Sequence, residues 1–210
     1  RDKKHGAQHT KHEAISTMSE HDWKPSDRSL LPAFEQWRQG EHTQALSAFQ
    51  VALERDNNNV DAWRGLGSVL WSLKQFSECL GAFQEALNRE SESPMHWSNV
   101  GLALRDLKRF EQAQHAFQVA TSLDPDYAPA YNEWGNVLLD TGRYLVALDF
   151  YNRSLAIDES RAVVHHNRGV CCRLLGRRED AIANFRKALS INAGYTYSIE
   201  ELAREELARL

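Results

Sequence analysis

Residues 94–127 read PMHWSNVGLALRDLKRFEQAQHAFQVATSLDPDY. In that stretch Trp97, Val100, Gly101 and Leu104 recur at i, i+3, i+4 and i+7, one face of a helix. After a short break Phe110, Ala113, Phe117 and Ala120 do so again. Asp124-Pro125 closes the stretch, because proline disfavours helix at the residue before it. Shifted back by 34 residues the pattern returns: Trp63, Leu66, Gly67 and Leu70, a break at Lys74–Gln75, then Phe76, Leu80, Phe83 and Leu87. Three series run through the chain at that period. They are Gly67, Gly101, Gly135 and Gly169; Phe49, Phe83, Phe117, Tyr151 and Phe185; and Ala45, Cys79, Ala113, Ala147 and Ala181. A helix–turn–helix unit of this length cannot bury its own apolar face, so it must stack on its neighbours.

Five units tile without insertion, at 26–59, 60–93, 94–127, 128–161 and 162–195. Glycine inside a helix costs roughly 1 kcal/mol relative to alanine, so its recurrence at 67, 101, 135 and 169 predicts close approach of the paired helix. Gly142 and Gly176 fall at the helix-to-helix turn, where a left-handed cap is expected. The first unit is degenerate. Pro32 stands in the place of the usual leucine and suits a first helical turn, so a short helix starting at Leu30 or Leu31 is predicted. In the last unit His165 and Arg168 replace the aromatic and the leucine. Residues 196–210 read as an amphipathic capping helix through Ile199, Leu202, Ala203, Leu207 and Leu210. Residues 1–25 form an irregular N-terminal extension, partly vector-derived or a docking segment, with Met18 a plausible native start.

The chain has 210 residues, 42 % hydrophobic and 26 % charged, the range of an ordinary soluble protein. Its net charge of −4 leaves no basic footprint for nucleic acid. No run approaches 18 apolar residues, so no membrane insertion is expected. The N-terminus lacks the apolar region of a secretory signal. Cys79, Cys171 and Cys172 have no metal spacing and read as small core residues in a reducing, cytoplasmic setting. His5, His9 and His12 could share a helix face and bind Zn²⁺ or Ni²⁺, but a purification remnant or solvated tail is the plainer reading. No phosphate loop and no nucleophile–base set appears, so neither enzyme activity nor a cofactor is expected.

The pattern W-x2-L-G-x2-L, A-x3-F-x2-A, DP closely resembles the tetratricopeptide repeat family over residues 26–195. The resemblance implies an all-α fold, a right-handed α-solenoid whose first helices line a concave groove. It also implies which side chains face that groove. These are Arg64, Ser68 and Trp71; Ser98, Asn99 and Arg105; Asn132, Glu133, Asn136 and Leu139; and His166, Asn167 and Arg173. Asn99, Asn132, Asn136 and Asn167 have mediocre helix propensity, yet an amide can pair with both C=O and N–H of an extended peptide. They read as an asparagine ladder or as a solvated polar face. Trp71, near Arg64 and Arg105, reads as an exposed interface anchor or as packing against the degenerate first unit. A family subclass grips C-terminal carboxylates, but Glu133 stands where a cation is required, so that role is rejected.

The expected function is a scaffold or adaptor that binds a protein or peptide segment through Arg64, Trp71, Asn99, Arg105, Asn132, Asn136, His166, Asn167 and Arg173. The rival is a structural module that self-associates through its termini, or the repeat portion of a longer protein. An assembly or secretion chaperone ranks lower, because the groove is mainly polar.

Overall fold

A computed structural model describes residues 25–194 and 198–202. The N-terminal extension expected over 1–25 lies outside the described residues but for Pro25, and so does most of the predicted capping helix. The described residues hold helices and connecting turns without strand. The chain divides into two compact units, Glu20–Asp124 and one built on Pro125–Leu210.

In the first unit a short 3-10 turn, Arg28–Leu30, leads into α1 (Leu31–Arg38), with Pro32 in its first turn. It continues through α2 (His42–Arg55), α3 (Val60–Ser72), α4 (Phe76–Arg89), α5 (Pro94–Asp106) and α6 (Phe110–Leu123). Within this unit each of α1 to α5 packs on the helix that follows it. Starts are set locally. Asn59 Oδ1 accepts from Ala62 N at 2.9 Å, and Ser93 caps α5 with Pro94 behind it. Asp124 ends α6 in an extended conformation, as a residue before proline should.

The second unit contains α7 (Ala128–Asp140), α8 (Tyr144–Ile157), α9 (Ala162–Leu174) and α10 (Arg178–Ile191), with a further helical turn at 198–202. Its core joins Leu138, Leu139, Ala147, Tyr151, Val164, Cys171 and Phe185. Both units are α-solenoid segments of stacked helix pairs.

The glycine series and the aromatic series meet. A Cβ at Gly67 would lie 2.4 Å from two atoms of Phe83, and Gly101, Gly135 and Gly169 face Phe117, Tyr151 and Phe185 in the same way. Each aromatic is fully buried. The missing Cβ is thus the space into which the ring of the second helix fits.

The turns between paired helices share one backbone feature. Gly40, Lys74, Lys108, Gly142 and Gly176 all have positive φ, and all sit at one position of the 34-residue register. Sequence singled out Gly142 and Gly176. The lysines carry no local signal, because the conformation there is imposed by the bonds around it. Lys74 N donates to Trp71 O at 2.9 Å and Gln75 N to Leu70 O at 2.9 Å, closing the end of α3.

Candidate partner-binding surface

The first helix of each pair carries buried polar side chains on one face. In Glu20–Asp124, Arg64 pairs with Asp61 at 3.1 Å, reaches Met95 Sδ at 3.5 Å and lies over the Phe34 ring. Asp61 also accepts from the Ser26 hydroxyl and from the backbone N–H of Ser26 and Asp27, which ties the start of the described chain to α3. Trp71 Nε1 donates to Asp106 Oδ2 at 2.7 Å, and Arg105 stands 3.6 Å from the same carboxylate. Trp37 Nε1 donates to Ser72 Oγ at 2.9 Å. Both indole bonds link residues 35 apart, so each ties the end of one first helix to the end of the next.

Exposure of Trp71, one of its two sequence readings, is corrected by the structure. The ring is 6 % exposed, packs edge-on to Phe76, and its N–H is taken by Asp106. Desolvation of the buried thiol, with the Asp106 carboxylate adding to it, pushes Cys79 far above the usual thiol range. Asn99 differs from its neighbours. It is buried, and among the described residues its Nδ2 has no acceptor.

In the second unit three of the four asparagines form one network. Asn167 Nδ2 donates to Asn132 Oδ1 at 3.2 Å and to Asn136 Oδ1 at 3.0 Å. Tyr151 Oη donates to Asn136 Oδ1 at 2.9 Å. The Asn132 and Asn136 amides donate to the two oxygens of Glu133, each at 3.0 Å. These amides join α7 to α9 and to the buried tyrosine of α8, so the helix face read as a free ladder is already bonded within the protein. The carboxylate at Glu133 has a local job there, accepting from both amides.

His166 Nδ1 lies 2.9 Å from Ser198 Oγ, and Arg173 forms an ion pair with Glu201 at 2.9 Å. Burial lowers the His166 pKa to about 4, with the positive Arg173 contributing in the same direction, so the ring is neutral at pH 7. Burial also lowers His165, and lowers His96 against the opposing pull of Glu90. Sequence reasoning did not find Met95, Ser198 or Glu201 as partners. Ser198 and Glu201 lie outside the repeat register, and contacts this far apart in the chain leave no pattern in it.

The predicted His5, His9 and His12 site lies outside the described residues. Among the described residues no group of three or more His, Cys, Asp and Glu is placed to hold a metal ion. No helix among them is long and apolar enough to cross a membrane.

Family models of the tetratricopeptide repeat match residues 35–94, 97–127 and 126–193. The chain belongs to the tetratricopeptide repeat family. Solved tetratricopeptide structures share its fold. One is a thermophilic protein of Thermus thermophilus, at TM-score 0.78 and 20 % identity, covering 85 % of this chain and 97 % of that one. Another is MamA, at TM-score 0.61 and 22 % identity, covering 77 % and 94 %. A third is YrrB, described as a tetratricopeptide protein with an unusual peptide-binding site, at TM-score 0.56 and 24 % identity, covering 80 % and 87 %. No curated protein sequence matches the chain. At these identities the likeness establishes the fold.

Proposed function

We propose that this tetratricopeptide protein is an adaptor that holds an extended segment of another protein against the inner faces of α3 and α5. Asn99 is the anchor, and Arg64, Trp71 and Arg105 are further buried side chains of α3 and α5 that would meet the same segment. The observation that carries the reading is the Asn99 amide. A buried donor without an acceptor costs about 1–3 kcal/mol, and Asn99 Nδ2 is such a donor among the described residues. A main-chain carbonyl brought to it removes that cost, which gives the ligand affinity without requiring any particular side chain. Because Asn99 is only 4 % exposed, the ligand reaches it by displacing what covers it. The buried charges of α3 and α5 then select the ligand's neighbouring residues. In the second unit Asn132, Asn136, His166, Asn167 and Arg173 make a second contact set, available where a ligand exchanges for Glu133, Ser198 or Glu201.

The test is affinity capture from source lysate with the full chain, followed by calorimetry on the captured protein. Asn99→Ala should weaken binding about tenfold, the worth of one well-made hydrogen bond. Gln118→Ala, on the exposed side of α6, should bind as wild type does. Equal affinity for Asn99→Ala and wild type refutes the anchor.

A further inference from the structure

The outer side of α7 and α8 departs from the repeat. Positions held by Glu111 and Gln112 on α6, and by Glu179 and Asp180 on α10, are Leu145 and Val146 on α8. The small pair Val100 and Ala116 leaves an open recess of about 300 Å³ beside Trp97 and His115. The same positions one unit later are Trp134 and Phe150, tilted at 40° to each other with ring centroids 4.5 Å apart, with Tyr131 beside them. Leu145 is 59 % exposed, and Val146 and Ile157 are each 37 % exposed. Leu145 and Val146 adjoin at the start of α8, where α6 and α10 expose polar residues, and Ile157 stands at its far end.

The charges on this face are the second observation. Asp149 and Arg153 are both exposed and stand one turn apart. At i, i+4 they could pair with each other. Among the described residues neither makes an ion pair; the Arg153 guanidinium lies instead 5.4 Å from the Phe150 ring centre. The exposed arc of α8 thus has an acid and a base near its middle and apolar residues toward both ends.

That pattern is complementary to itself when reversed. We infer that α8 is the contact of a homodimer, two copies meeting antiparallel about a two-fold axis level with residue 151. The helical register then sets Asp149 against the partner's Arg153, twice by symmetry. Val146 meets the partner's Ala156, and Leu145 meets the partner's Ile157. A two-fold interface requires this kind of self-complementarity, where residue i contacts j and j contacts i. One helix face is smaller than the roughly 800 Å² per partner of a standard interface, so the dimer is weak and concentration-dependent. It involves neither the termini nor the faces of α3 and α5, and it stands whether or not a peptide binds there.

The test is sedimentation equilibrium of the full 210-residue chain with charge-reversed variants, each checked by circular dichroism. All changes are on exposed positions, so the fold is retained. The wild type should show a monomer–dimer equilibrium. Asp149→Arg and Arg153→Asp should each weaken it about 10- to 100-fold, since each repeats by symmetry. Mixing the two single variants should restore a heterodimer, and the double variant should restore a homodimer. A wild type that stays monomeric at the highest attainable concentration overturns the inference. So does a dimer that neither reversal weakens, or one that mixing fails to restore.

Discussion

Gly67→Ala should destabilise the protein, against the ordinary preference of a helix for alanine. The added Cβ would stand 2.4 Å from Cδ1 and Cε1 of Phe83 and 3.1 Å from Cγ, whereas ordinary contact begins near 3.4 Å. The ring must retreat by about 1 Å, yet Phe83 is wholly enclosed, and close-packed interiors yield little. Alanine gains about 1 kcal/mol of helix propensity. Overpacking costs about 1–3 kcal/mol and sometimes more; two ring atoms overlapped this deeply place the cost at the top of that range. The expected net loss is about 2 kcal/mol. Gly81→Ala is the internal control. Gly81 lies within α4, has nothing within 4 Å of its built Cβ, and its replacement should stabilise by about 1 kcal/mol. Urea unfolding followed by circular dichroism reads both, compared at unchanged slope. Gly67→Ala/Phe83→Leu gives the new methyl the space of the ring edge, so its loss should fall short of the two single losses by at least about 1 kcal/mol. Gly67→Ala as stable as wild type, or strictly additive losses in the double variant, refutes the argument that glycine is there to admit the ring.

Two further outcomes are expected. Lys74→Gly and Lys108→Gly should each stabilise by about 0.5–1 kcal/mol, because glycine accepts positive φ without the Cβ clash that lysine bears; lower urea midpoints would contradict the shared left-handed turn. Stability should fall on acidification between pH 6.5 and 4, because the unfolded chain takes up a proton on His166 that the folded chain refuses. The folded pKa is depressed, so this contribution is fully present above 6.5 and lost as pH falls toward 4. At about 1.36 kcal/mol per pKa unit it reaches roughly 3 kcal/mol, with His96 and His165 adding in the same direction. His166→Gln should flatten the profile measured from urea midpoints across that window, and an unchanged slope would count against the burial.

The sequence by itself determined the repeat, the helix pairs, the short first helix behind Pro32 and the close approach of paired helices at the recurrent glycines; that an aromatic ring fills each missing Cβ came from the structure. The former follow from periodicity, because each unit solves one packing problem with the same residue types at the same offsets. The sequence also marked the polar positions of the first helices, where asparagine is costly enough in a helix to stand out. Tertiary structure alone decided what those polar groups do. Whether an amide meets a ligand or another amide depends on the residue one unit away. Asn167 finds Asn132 and Asn136, Trp71 finds Asp106, and Asn99 finds no acceptor among the described residues. The left-handed lysines were hidden for the same reason. Their conformation comes from the bonds that close α3 and α5, and lysine itself does not favour it. The α8 face needed both levels. The sequence shows Leu145 and Val146 where other units carry polar residues, and only the packed helices show that these side chains remain exposed, because exposure belongs to a surface and not to a residue.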